Sequence, residues 1–174
     1  REAELLIDVP NACLWSPDTP HLYEANLTVA EQDNPNEPID QVTETFGIRS
    51  IAFNAEQGFL LNGQPIELNG GCLHHDNGIL GASAFDRAEE RKAELMKAAG
   101  FNAVRTSHNH PSTAFLAACD RIGLLVIDEA FDGWRVAKTP HDYSKYIDQH
   151  WRDDLAALVL RDRNHPSIFA WSMG

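Results

Sequence analysis

The chain is short of positive charge. Fourteen Lys and Arg face 26 Asp and Glu, a formal net charge of −12. Nucleic-acid binding depends on clustered basic side chains that displace counterions from phosphates, so this balance argues against such a partner. Long apolar runs are also missing. No stretch approaches the ~18 residues a membrane-crossing helix needs, so no membrane partner is expected. The start shows no signal-peptide pattern, and the first residue is Arg1 rather than Met, which leaves the compartment open. Cysteine is sparse: Cys13, Cys72 and Cys119 are far apart and match no metal or redox spacing. All three are expected to be buried thiols acting as small hydrophobes.

What is present is a globular composition, 43% hydrophobic and 23% charged over 174 residues. Short strands dominate up to residue 50. Leu5–Val9, Leu22–Val29 and Val42–Ile51 read as strands, with the Ser16–Pro20 turn and a polar loop over Asp33–Pro38 between them. Three strands suit only part of an antiparallel sandwich, because a complete immunoglobulin-like domain takes ~100 residues and seven strands. Beyond Phe53, Asn62-Gly63 between apolar runs predicts a hairpin, with Ile66–Leu73 running on as a long strand. Helices follow over Asp86–Gly100, where Glu89 is placed as a capping-box partner, and over Ser112–Ile122, closed by Gly123. A third is expected over Ser144–Arg163, with one apolar stripe formed by Ile147, Trp151, Leu155, Leu158 and Val159. Strands Ala103–Thr106, Leu124–Asp128 and Ile168–Trp171 alternate with these helices.

The fold class is therefore α/β. Repeated β-α units fit a doubly wound sheet or a (β/α)8 barrel. Four strands make half a barrel, since a typical one takes ~250 residues. We divide the chain into residues 1–50, the C-terminal part of an immunoglobulin-like β-sandwich, and 51–174, the N-terminal half of a TIM barrel.

Polar residues gather where the strands end: His74-His75-Asp76, Arg105 to His110, Asp128-Glu129, and Ser172 onward. In a barrel those ends build the active site. Two chemistries fit. One is a metal-dependent hydrolase with His75, His108 and His110 as ligands, joined by Asp76 and Asp128. The other is glycoside hydrolysis, which takes two carboxyl groups and donors that grip sugar hydroxyls. Asp128 and Glu129 cannot easily flank one bond, because neighbours on a strand point to opposite faces. A non-catalytic carbohydrate-binding module is a third reading.

Longer motifs narrow the choice. Asn102-Ala103-Val104-Arg105-Thr106-Ser107-His108, then Cys119 to Ala130, and Arg161 to Gly174 resemble glycoside hydrolase family 2. Leu14-Trp15-Ser16-Pro17 and Phe46-Gly47-Ile48-Arg49 are similar to its immunoglobulin-like module, and Gly70 to Asp76 to the start of its barrel. His74–Gly78 and Asp128–Asp132 look most like bacterial β-galactosidases; β-glucuronidases and β-mannosidases share the skeleton.

The resemblance implies a retaining hydrolase of terminal β-linked sugars, with no cofactor, a carbohydrate as substrate, and a homo-oligomeric parent enzyme left open. It implies that no catalytic carboxylate lies in this chain. The family's acid/base Glu is expected just after Gly174 and the nucleophile further on, so the chain alone is expected to be inactive. His75 and His108 match sugar-contacting positions, and as neutral imidazoles they are expected to donate to hydroxyls. Asp76 is placed beside them. Arg105 matches the arginine that braces the nucleophile. Asp128 and Glu129 are read as a buried network below the pocket, and Trp171 as a core or pocket residue. Two departures stand out: His110 occupies an unusual position before Pro111, and Asp132-Gly133-Trp134-Arg135 lacks the Glu-x-His of the Mg²⁺ site in some members, so no metal is carried over.

Overall fold

The computed structural model describes residues 4–174. Strands β1 (Tyr23–Glu31) and β2 (Asn34–Phe46) form an antiparallel hairpin. Strands β3 (Ile51–Asn54), β4 (Gly58–Leu61) and β5 (Gln64–Pro65) form a three-stranded antiparallel sheet. Strands β6 (Gly70–Leu73), β7 (Ala103–Thr106), β8 (Leu125–Glu129) and β9 (Ile168–Ser172) form a parallel sheet in that order. Helices α1 (Asp86–Ala98), α2 (Thr113–Ile122) and α3 (Ile147–Asp162) connect successive parallel strands. That is the β-α repeat read from the sequence. No described helix is long and apolar enough to cross a membrane.

Local chemistry sets the boundaries. Asn62 and Gly63 both take positive φ, at 54° and 75°, as a two-residue hairpin turn requires. Ser112 caps α2, its Oγ accepting from the Phe115 amide at 3.1 Å. Gly123 closes α2 in the left-handed region, and a Cβ there would lie 2.2 Å from the Pro17 carbonyl oxygen. Only glycine meets both constraints.

Several expectations are corrected. Leu5–Val9 is not a strand: none of the described strands pairs with it, and Leu6 is 93% exposed. Asp33–Pro38 is not a loop. The turn is only Gln32-Asp33, and β2 starts at Asn34; register shifts at Ala30 let Pro38 fit opposite it. The strand expected over Val42–Ile51 ends at Phe46, and β3 begins separately at Ile51. Between them Gly47 lies so close to Pro166 that a Cβ would approach within 2.7 Å. Arg49 donates to the Pro166 and Ile168 carbonyls, which ties this break to the start of β9.

Residues 66–69 are not part of β6. Asn102 replaces the ladder there, accepting from the Asn69 amide and donating to the Glu67 carbonyl, both at 2.8 Å. Glu89 is no capping-box partner. Phe85 is the N-cap of α1 and its side chain carries no hydrogen-bonding group, and Glu89 is buried instead. Its carboxylate accepts from Asn77 at 2.8 Å and Ser112 at 2.9 Å and pairs with Lys92 at 2.8 Å. Only Cys119 is a buried thiol; Cys13 and Cys72 are exposed.

Apolar packing fixes the sheet. Val104, Val126 and Ile168 meet Ala93 of α1 and Phe115, Leu116 and Cys119 of α2. A second cluster joins Trp15, Phe59 and Leu61 to Ala103 and Leu125, and Trp15 Nε1 donates to the Asp120 carbonyl at 2.8 Å. A third, around Phe131, Ile147 and Leu158, seats α3 beside the end of β8. The stripe on α3 is narrower than the periodicity predicts, because Val159 is exposed.

Candidate active site

A cleft of about 800 Å³ opens at the carboxyl ends of the parallel strands. His74 and His75 line it after β6, Ser107 to His110 after β7, and the loop following β8 forms the remaining wall. Polar residues gather there because the chain leaves the core where each parallel strand ends.

The cleft rests on Glu129, which is fully buried. Strands β7 and β8 pair in parallel, Arg105 opposite Ile127, so Arg105 reaches Glu129, which lies two residues on and on the same face as Ile127. Its Nε donates to Oε2 at 2.6 Å and its Nη2 to Oε1 at 2.9 Å. His108 Nδ1 lies 2.7 Å from Oε1, and Ser172 Oγ donates to Oε2 at 2.7 Å. Thr106 Oγ1 accepts from the Glu129 amide at 3.0 Å. Burial opposes charge on Glu129, but the Arg105, Ser172 and His108 hydrogen bonds outweigh it and hold the carboxyl below the usual range.

This network fixes the tautomer of His108. An ionised carboxylate only accepts, so Nδ1 carries the proton. Nε2 then faces the cleft, where a neutral ring accepts from a hydroxyl and the expected donation would take a second ring proton. Nε2 lies 3.8 Å from Asp132 Oδ1, on the cleft side. His74 packs edge-on against His108, with ring centroids 5.2 Å apart.

The other sequence-derived residues divide. His75 lines the cleft, with Nε2 3.1 Å from the Ala82 carbonyl oxygen. Asp76 accepts from the Gly78 amide at 2.7 Å and so shapes the loop after β6; it does not line the cleft. Asp128 and Glu129 do not share a network. Asp128 faces the opposite side of the sheet from Glu129, buried beside Asp162, which Arg161 grips through Nε and Nη2, each at 2.6 Å. Neither Asp128 oxygen has a hydrogen-bond partner among the described residues, and burial, then the Asp162 charge, raises its pKa to about 7. Trp171 is neither core nor cleft lining; it is partly exposed on β9. His110 lines the cleft near Phe131, and burial lowers its pKa. Among the described residues, no three His, Cys, Asp or Glu side chains are grouped to hold a metal, so His75, His108 and His110 are not assembled as one ligand set.

Sequence reasoning missed the loop from Ala130 to Tyr146. It has no periodicity, so its signal is only its aromatic content. Trp134 packs edge-on against Phe131 at 5.6 Å, and Tyr143 stacks on Phe131 at 5.9 Å. Trp134 Nε1 donates to the Met173 carbonyl at 3.0 Å, pinning the loop beyond the end of β9. Ser172 as a Glu129 partner and the exposed Cys72, 3.6 Å from Arg105 Nη1, were missed too.

Comparison with known proteins agrees with this architecture. The TIM barrel domain of glycosyl hydrolases family 2 matches residues 53–174, and a second domain of the same family matches residues 1–49. A β-galactosidase of Bacteroides ovatus is 47% identical over 161 residues, covering 92% of this chain and 19% of its own length. A putative β-glucuronidase of Formosa agariphila is 43% identical over 169 residues, covering 97% of this chain and 16% of its own. The crystal structure of a family 2 member from Bacteroides cellulosilyticus superimposes with a TM-score of 0.86 at 58% identity, covering 91% of this chain and 20% of that one. The chain thus spans about a fifth of the length of the relatives it matches. It belongs to glycosyl hydrolase family 2.

Proposed function

We propose that the protein containing this chain is a retaining β-glycoside hydrolase, a β-galactosidase by preference, acting in carbohydrate metabolism. Residues 1–50 are read as the C-terminal part of an immunoglobulin-like sandwich and 51–174 as the N-terminal half of the catalytic barrel. The observation that carries the reading is His108, oriented by Glu129 and Arg105 with Nε2 toward the cleft. A sugar hydroxyl donating to that nitrogen would be fixed in place, and His75 supplies a second contact on the same wall.

Retaining hydrolysis takes two carboxyl groups about 5–5.5 Å apart on either side of one glycosidic bond. The carboxylates lining the cleft are engaged, Asp132 with Lys138, Asp142 with backbone amides and Asp154 with Tyr143, and the buried Glu129 is held by Arg105. We therefore assign acid/base and nucleophile to segments outside residues 1–174. The chain supplies the sugar-gripping half, and Arg105 sits where it can also orient the nucleophile.

The test is hydrolysis of aryl β-galactosides, β-glucuronides and β-mannosides by the complete gene product and by residues 1–174 alone. The reading expects the galactoside to be cleaved by the former only. Cleavage by residues 1–174 alone, or of none of the glycosides, overturns it.

A further inference from the structure

The loop after β8 places a charged pair directly in the cleft. Lys138 Nζ donates to Asp132 Oδ1 at 2.8 Å and to the Asp132 carbonyl at 2.7 Å, and Asp132 Oδ1 lies 3.8 Å from His108 Nε2. We propose that Asp132 and Lys138 make this cleft charge-selective: it admits uncharged pyranosides and rejects uronic acids, with Asp132 accepting a hydroxyl of the sugar held at His108. The proposal rests on the glycosidase reading and adds to it a specificity determinant.

Charge within the cleft carries the argument. Asp132, Asp142 and Asp154 line it against one lysine. Among the described residues Lys138 is the only ammonium lining the cleft, and Asp132 already occupies it. A uronate carboxylate approaching this wall meets three carboxylates, and the lysine among them is already paired with Asp132. A neutral sugar meets no such barrier.

The pair's own attraction is weak, since both side chains are more than half exposed. Its position is nevertheless fixed, because the surrounding loop is anchored. Asp142 accepts from the Thr139 amide at 2.9 Å and the Ser144 amide at 3.0 Å, and from the Lys138 amide itself. Trp134 ties the same loop to Met173. The Lys138 hydrogen bond keeps Asp132 below the usual carboxylate range, so it stays an acceptor at neutral pH. The second oxygen of Asp132 is thereby left for a hydroxyl, which specifies through exclusion as much as attraction.

Galactose and galacturonate differ only at C6, as do glucose and glucuronate, so each pair isolates the charge. Binding of the four sugars to the complete gene product, wild type and Asp132→Asn, is measured by calorimetry. In the wild type at least one neutral sugar is expected to bind about tenfold tighter than its uronate. Asp132→Asn removes a negative charge and frees Lys138, so that preference should fall at least about fivefold. Lys138→Met, which leaves Asp132 unneutralised, should widen it. An unchanged preference in Asp132→Asn, or equal binding of sugar and uronate by the wild type, overturns the proposal. Because the ratio is read from binding, failure to hydrolyse any glycoside overturns the activity reading alone. Failure to bind any of the four sugars overturns both.

Discussion

Arg105 and Glu129 stand on adjacent parallel strands and join through two hydrogen bonds, Nε to Oε2 at 2.6 Å and Nη2 to Oε1 at 2.9 Å. Each Glu129 oxygen takes one further partner, His108 on Oε1 and Ser172 on Oε2. The ends of three strands, β7, β8 and β9, are thereby locked around one buried carboxylate. Its position sets both the direction of the Arg105 fork and the tautomer of His108.

Replacing Glu129 with Ala should leave Arg105 and His108 without their anion. Arg105 is 37% exposed, so water takes up part of the charge left behind and the loss stays below the ~3 kcal/mol of a fully buried pair, but the urea midpoint should still fall. Arg105→Lys keeps the charge but loses the fork. It is expected to leave the midpoint nearly unchanged while lowering kcat/KM on aryl β-galactoside at least about tenfold.

His108→Gln tests the acceptor assignment. A glutamine amide can still present an oxygen to the cleft, whereas His108→Leu cannot. KM should rise more in the leucine variant, by about tenfold relative to glutamine, if a sugar hydroxyl donates to this position. Equal KM values would remove His108 from sugar binding.

Asp128 makes a pH prediction. Its folded pKa is raised to about 7 from an ordinary 3.8, first by burial and then by Asp162. Between those values the folded state binds the extra proton, so stability should decline as pH rises from about 4 to about 7 and level off above. Asp128→Asn should flatten that slope and stabilise the fold at pH 8 by on the order of 2 kcal/mol. Urea titrations at pH 5 and pH 8 read both effects, with the difference between variant and wild type largest at pH 8.

Gly123→Ala should destabilise the protein more than an ordinary helix-terminus change. The residue sits at φ 76°, and the new Cβ would meet the Pro17 carbonyl oxygen at 2.2 Å. Left-handed backbone alone costs about 1 kcal/mol for alanine, and the clash adds to it by pushing residues 16–20 off the barrel. Gly58→Ala, also at positive φ but with nothing near its Cβ, separates the two contributions.

Much of the barrel half was legible because its signals are local. Ser112 and Gly123 bound α2, Asn62-Gly63 makes its hairpin turn, and the apolar run of β8 is buried as such runs are in parallel sheets. His75 and His108 fall in one cleft, as the convergence of polar residues at strand ends suggests, whereas their roles and that of Arg105 come from the family resemblance alone. The errors lie where a residue's partner is distant in sequence. Glu89 fits a capping box by spacing, yet Ser112, 23 positions away, claims its carboxylate. Leu5–Val9 has a strand's composition but no ladder to join. Asp128 and Glu129 look like one acidic unit, and the alternation of the strand sends them to separate networks. Asp132 and Lys138 sit in an irregular loop whose shape comes from contacts to Met173 and Asp148 that no period reveals.

The most direct measurement is the crystal structure of the complete gene product with galactose bound. The account predicts the sugar at the carboxyl ends of β6 to β9, with one hydroxyl within about 3.2 Å of His108 Nε2 and the ring against the wall formed by His75. Galactose seated elsewhere, or bound there with His108 Nε2 turned away from every hydroxyl, would contradict it.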